Sequence, residues 1–247
     1  MSNLQTPILD HIVILVSHKT LLELSKHTEG QFTLAPGGNH ADGLTTNKLI
    51  LLADGVYLEF IAFFDNVDPK RRSAHRWGNE KEDTIIDWAF TLRSEDDFGA
   101  VQKRFKGAET EASYTDPIAG GRTKPDGTVL EWAVVPGSLP FWCLDRTPRA
   151  NRVPYQVEPQ LTQHPNGIQG ISAVAVHVPK EKSSSFKGAY DAIFGGAWDY
   201  QVPSESTTGT HGVTLSEGGA SVRLVFSGLK QGQVELLPGL VFDIEGQ

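Results

Sequence analysis

Three side chains in this sequence could do chemistry together: the imidazole of His11 in "ILDHIVILV", the carboxylate of Glu59 in "VYLEFIAF" and the imidazole of His40 in "PGGNHADG". A strand projects alternate side chains to opposite faces, so His11 should share a face with Leu9, Val13 and Leu15, while Asp10 faces the other way with Ile12 and Ile14. Glu59 is flanked on its own face by Tyr57 and Ile61. A carboxylate in such company is costly unless it is paired, hydrogen-bonded or bound to a metal. His11 is the obvious partner. An imidazole and a carboxylate converging in a cup form half of a nitrogen and oxygen site suited to zinc, iron, nickel or manganese. The plainer alternative is that each is a satisfied core or edge residue.

Gly37, Gly38 and Gly43 make the segment around His40 turn-rich, able to carry His40 toward the same cup or to leave it on the surface. The segment is not a phosphate cradle, because it lacks the Lys-Ser/Thr ending and its glycine spacing fails the dinucleotide fingerprint. Arg122 and Lys124 in "IAGGRTKPDG" could clamp an anionic substrate or form a solvated hairpin tip. Cys143 in "LPFWCLDR" lies in an apolar burst and reads as buried and inert. His75, His164, His177 and His211 have no partner at a meaningful spacing, and neither a GxSxG elbow nor an HExxH pair is present.

The elements that must position these residues follow from periodicity. "ILDHIVILV" reads as a strand, "HKTLLELSKHTEG" as a helix, and "QFTLAPGG", "TTNKLILLAD" and "GVYLEFIAFF" as three further strands, a β-α-β-β-β unit. The order recurs in "DTIIDWAFTLR", "SEDDFGAVQKRFKG" and "DGTVLEWAVV". Laying "LDHIVIL" over "IDWAFTL" puts His11 on Trp88, and laying "DGVYLEFIA" over "DGTVLEWAV" puts Glu59 on Glu131. Glu131 is thereby expected in the cup as ligand or base, whereas Trp88 cannot coordinate. A fainter third unit runs from "GISAVAVHVP" through "KSSSFKGAYDAIFGG", "WDYQVP" and "GVTLSEG" to "ASVRLVFSG", with Ser172 and Arg223 at the places of His11 and Glu59. Units this short cannot each close a core, so they should pair. The expected fold is α+β, with repeated βαβββ modules pairing into a curled mixed sheet around a cup. The expected division is a paired-module domain over 1–145, a Pro-rich connector over 146–169 and a third module over 170–247.

The chain has 247 residues and a net charge of −8, with 22 basic against 30 acidic residues. Nucleic acid and anionic membrane are therefore poor partners. One cysteine excludes an intrachain disulfide framework. With no basic leader and no apolar run of about 18 residues, the expectation is a soluble, cytoplasmic protein that acts on a small molecule.

Taken in order, "LDHIVILV", "PGGNHADGLTTNKLI", "VYLEFIAF", "GRTKPDGTVLEW" and "LPFWCLDR" resemble the glyoxalase-like domain proteins of the vicinal oxygen chelate superfamily, over residues 9 to about 145. The resemblance implies a divalent metal held by His11 and Glu59, with Glu131 at a position where glyoxalase I has a glutamate. Trp88 stands where that enzyme has His or Gln, so a typical glyoxalase I activity is not implied. His40 could instead complete a two-His, one-carboxylate set of the kind that suits non-haem iron or a divalent Lewis acid. The implied function is a metal-dependent lyase, isomerase or dioxygenase that chelates vicinal oxygens, with Glu131 or His40 as catalytic groups and Arg122, Trp88 and Tyr57 against substrate. The rival is a metal-free protein that binds or sequesters a planar ligand among Tyr57, Phe60, Trp88 and Trp132. A third possibility is that the last unit serves to form a homodimer.

Overall fold

Apolar residues from Ile8 onward make β1 (Ile8–Leu15), every residue of which is buried. Ser17 caps α1 (His18–His27) by accepting from the Thr20 amide, and Leu21 and Leu24 face inward. β2 (Ala35–Asn39), β3 (Thr45–Leu51) and β4 (Tyr57–Phe63) complete the first unit. A short helix, α2 (Pro69–Ala74), leads to the second unit: β5 (Thr84–Thr91), α3 (Phe98–Lys106), β6 (Ile118–Thr123), β7 (Val129–Val135) and β8 (Phe141–Asp145). This computed structural model describes residues 6–124, 126–137, 140–194, 200–203, 210–219 and 221–246.

The eight strands form one curled mixed sheet in the order β2-β3-β4-β1-β5-β8-β7-β6. β1 and β5 run antiparallel at its centre, and each has the last strand of its own unit parallel beside it. Its two edges nearly close on one another. His40 and Arg122 form a backbone bridge between them, and the Ala41 amide donates to the Gly121 carbonyl at 3.2 Å. The expected α+β cup is therefore present.

The two faces of this sheet have different tasks. Ile12, Ile14, Leu58, Phe60, Phe90 and Trp142 point outward into the main core, under α1 and α3. Val13, Leu15, Ile61, Ala89, Leu130, Trp132 and Phe141 line the inside. Alternation along each strand makes this division, so the register of β1 and β4 decides which polar groups enter the cup.

The connector forms α4 (Arg149–Arg152) and continues to a second sheet built from β9 (Ile168–Val178), β10 (Tyr200–Pro203), β11 (Thr210–Glu217), β12 (Ser221–Gly228), β13 (Gly232–Leu237) and β14 (Leu240–Gly246), with α5 (Ser183–Phe194) after β9. Its order, β10-β11-β9-β12-β14-β13, repeats the first sheet at smaller scale. β9 and β12 are antiparallel at the centre, with β11 and β14 parallel beside them. The stretch "SVRLVFSG" therefore does not close a third unit; it opens a fourth, which has no helix. Trp198 and Asp199, at the head of the expected strand "WDYQVP", lie outside the described residues. Ser172 donates to the Val225 carbonyl and Arg223 pairs with Asp243, so neither builds a counterpart of the His11 and Glu59 pair. Ile171, Val174, Leu224 and Phe226 pack into the same core as Phe60 and Trp88. No helix among the described residues is long and apolar enough to cross a membrane.

Candidate functional site

His11 owes its setting to an irregularity in β1. The pairing with β5 advances two residues, from Leu9 to His11, while the partner strand advances one, from Phe90 to Ala89. Asp10 is thus the extra residue of a β-bulge. Leu9 consequently joins the outer core instead of sharing the face of His11, and the Asp10 carboxylate turns back to its neighbour, with Oδ2 2.7 Å from His11 Nδ1. Asp10 is fully buried but also accepts from Arg149 and Arg152. Burial pushes its pKa up; the two guanidinium charges outweigh this and hold it well below the usual carboxylate range. An ionised Asp10 can only accept, so His11 Nδ1 carries the proton of that bond and Nε2 is turned into the cup.

Tyr57 lies beside His11 in the β1–β4 register and stacks on its ring, with centroids 4.6 Å apart and planes at 11°. The Tyr57 hydroxyl accepts from Arg152 at 2.8 Å. His11 is therefore held from behind by Asp10 and on its face by Tyr57, and one arginine fixes both supports.

Glu59 stands between two imidazoles. Its Oε2 is 3.4 Å from His11 Nε2, and its Oε1 is 3.5 Å from His40 Nε2. His40 Nδ1 is tied to Thr45 Oγ1 at 2.8 Å, across the turn in which Gly43 adopts a positive φ of 68°. The Asn47 amide donates to Glu59 Oε1 at 2.5 Å, and its Oδ1 accepts from the Gly38 amide at 2.9 Å. Burial would raise the Glu59 pKa; the hydrogen bond and charge of His11, the charge of His40 and the Asn47 bond lower it to about 2.

The cup measures about 460 Å³. Beyond the three residues above, its wall includes Arg122, Trp132, Phe141, Cys143 and a strap of Ala74 to Trp77 that follows α2. Arg76 pairs with Asp87 while its guanidinium covers the rings of Trp77 and Phe141 at 4.7 and 4.5 Å.

Two residues expected in the cup are elsewhere. Trp88 packs in the outer core against Phe90 and Tyr190, and Ala89 takes the inward position opposite His11. β5 has an irregularity of its own at Ile86, between the pairs Val13 with Asp87 and Ile14 with Ile85, and Trp88 pairs with Ile12 of the outer core, so laying Trp88 on His11 is out by one residue in face. Glu131 is exposed on the outside of β7, and its neighbour Trp132 points in. Glu131 therefore does not line the cup.

The separations of Glu59 from the two imidazoles, 3.4 and 3.5 Å, can be compared with those around a divalent cation. Two donors about 2.1 Å from one ion at a tetrahedral angle stand about 3.4 Å apart, and both histidines have their other nitrogen held by an oxygen. Among the described residues, the group of three whose donor atoms all lie within 4.8 Å of one another is Asp10, His11 and Cys143 rather than His11, His40 and Glu59. That set is less apt, because Asp10 is already neutralised by two arginines and burial holds the Cys143 thiol well above its ordinary pKa. Sequence reasoning assigns no supporting role to Asp10, Asn47 or Arg152: the bulge has no local signature, and Arg152 reaches back to Asp10 from 142 residues downstream.

The sequence profile of the glyoxalase-like domain matches residues 9–192. The chain belongs to the glyoxalase-like domain family. Its match extends through the connector into α5, past the stretch that carries the sequence motifs. No curated protein is significantly similar in sequence. Among solved structures, a hypothetical protein from Staphylococcus aureus superposes with a TM-score of 0.68 at 14% identity, covering 98% of this chain and all of that one. A fusion protein of a xylose isomerase-like TIM barrel and a 4-hydroxyphenylpyruvate dioxygenase aligns over 89% of this chain and 36% of its own, at 12% identity and a TM-score of 0.47. Methylmalonyl-CoA epimerase from Mycobacterium tuberculosis aligns over 62% of this chain and 95% of its own, at 14% identity and a TM-score of 0.39. This glyoxalase-like domain protein shares its fold with the Staphylococcus aureus protein, and carries a polar site in one of its two sheets.

Proposed function

We propose that this glyoxalase-like domain protein is a metal-dependent enzyme acting on a small molecule, of the lyase, isomerase or dioxygenase type, with His11, His40 and Glu59 holding a divalent zinc, iron, nickel or manganese ion. One observation carries the reading: a buried carboxylate placed between two imidazole nitrogens, 3.4 and 3.5 Å away, with each ring anchored through its other nitrogen. An ion bound there would act as a Lewis acid on vicinal oxygens of the substrate. The chain's own residues do the rest. Asp10 and Thr45 orient the two rings, Asn47 fixes one oxygen of Glu59, and Tyr57 covers the face of His11 against water. Trp132, Phe141 and Trp77 supply apolar wall that would seat the body of the substrate.

A thermal unfolding series on chelator-stripped protein tests the reading. Zinc, iron, nickel or manganese should raise the unfolding midpoint of the wild type and leave that of Glu59→Ala unmoved. No response to any of the four ions would reject it.

The aromatic wall supports a second reading, a metal-free binding or sequestering protein. In that case hydrophobic ligands raise the midpoint and the metals do not.

A further inference from the structure

We infer that the ligand of the cup is a small organic acid, and that Arg122 is the residue that takes its carboxylate. This rests on the reading of the cup as a small-molecule site, though not on the metal.

The side chain of Arg122 is aimed by register. In the β6–β7 pair, Gly120 lies opposite Trp132 and Arg122 opposite Leu130, and directly opposed residues of antiparallel strands share a face. Leu130 and Trp132 belong to the inner wall, so Arg122 does too. The residue is only 5% exposed, and its Nη1 is buried with no hydrogen-bond partner. No carboxylate among the described residues pairs with its guanidinium.

The Glu59 charge acts on Arg122 without a hydrogen bond, and a buried guanidinium left with an unbonded donor is expensive. The other arginines on the wall show what satisfaction looks like here. Arg152 holds Asp10, Asp145 and Tyr57, and Arg76 holds Asp87. Arg122 alone among them lines the cavity without a hydrogen-bonded carboxylate among the described residues.

The partner that fits is an anion supplied from outside. The planar fork of guanidinium donors matches a carboxylate. One uncommitted guanidinium matches a single negative charge better than a phosphate dianion. Trp132 and Phe141 on the same wall call for an apolar body behind the charge, and about 460 Å³ accommodates a compact one. His40 and Arg122 are backbone neighbours across the seam between β2 and β6, so a carboxylate on Arg122 would lie beside the His40 and Glu59 group.

The test is calorimetric titration and thermal unfolding of the full chain, metal-stripped and metal-loaded, with acetate, pyruvate, benzoate and phenylpyruvate, their primary amides, and inorganic phosphate. At least one carboxylate should bind and raise the midpoint where its amide does not. Arg122→Met should weaken that carboxylate about 10- to 100-fold, while its midpoint without ligand stays level or rises, because an unpaired buried charge has been removed. The inference is overturned if no carboxylate binds either form, if amides bind as well as acids, if phosphate binds more tightly than every carboxylate, or if Arg122→Met lowers the unliganded midpoint. Metal content of the same preparation is a separate readout. Acid binding by a protein that takes no metal would reject the metal-dependent reading and keep this one, and stoichiometric metal without acid binding would do the reverse.

Discussion

Asp10 and His11 are consecutive in the chain, yet their side chains hydrogen-bond, with Asp10 Oδ2 2.7 Å from His11 Nδ1. In a regular strand they would point to opposite faces. The bulge brings them together, and Arg149 and Arg152 then tie Asp10 to the connector, so the strand that carries the site is fastened to a segment more than a hundred residues away.

Asp10→Asn should affect both metal and stability. Loss of the carboxylate behind a ligating histidine lowers metal affinity about 10- to 100-fold, and leaving two arginines short of their buried partner costs about 3–5 kcal/mol. Isothermal titration with zinc and urea unfolding measure the two effects. An unchanged zinc affinity would mean that His11 is not held for a metal by Asp10.

Glu59 and Glu131 look alike in sequence and should behave differently. Glu131 is exposed on the outer side of β7, so Glu131→Gln should leave metal content unchanged and stability within about 0.5 kcal/mol. Glu59→Gln should abolish stoichiometric metal. Equal effects of the two on metal content would return Glu131 to the site.

Much of the fold was legible because alternation and turn residues are local. The β-α-β-β-β order, the helix after Ser17 and the pairing of two units all follow from short-range pattern. His11 and Glu59 are legible as polar residues in apolar surroundings that need one another, and His40 only as a histidine on a turn-rich loop that could reach the cup or stay on the surface. Trp88 and Glu131 lie off the cup because alternation gives the inner positions to their neighbours Ala89 and Trp132, and an alignment of the two units that ignores the irregularities at Asp10 and Ile86 is out by one residue in face. The polar connector gave no hint that Arg149 and Arg152 sit behind the site, since only the folded chain brings them there. The second sheet reads as one unit in sequence because its last three strands carry no helix to mark their start.

Gly37→Ala should be among the most damaging small substitutions. A Cβ there would stand 1.9 Å from the Asn47 carbonyl oxygen and 2.3 Å from its Oδ1. Backbone would have to move, at a cost above about 3 kcal/mol, and Asn47 would lose its hold on Glu59. Gly43→Ala meets nothing within 4 Å and has only the strain of φ +68°, about 1–2 kcal/mol. Chemical unfolding of the two variants should rank them in that order; the reverse order would contradict the packing at Asn47.

Acid should loosen the connector through His164. Its Nδ1 accepts from the Thr33 amide at 3.2 Å and its Nε2 bonds the Leu51 carbonyl at 2.9 Å. Burial lowers its pKa below 6.5, and the Leu51 hydrogen bond offsets only part of that. The neutral ring therefore contributes its full stability above the unfolded pKa, and this is lost as pH falls from 6.5 toward the folded-state value. The thermal midpoint of the wild type should fall more steeply than that of His164→Gln over this window. Parallel profiles would show that His164 is not responsible.

The most direct measurement is elemental analysis of the purified protein, with His11→Ala, His40→Ala and Glu59→Ala prepared alongside. The account predicts one zinc, iron, nickel or manganese ion per wild-type chain and loss of that ion in each variant. A wild type that stays metal-free after reconstitution with all four ions, or variants that keep the full complement, would contradict it.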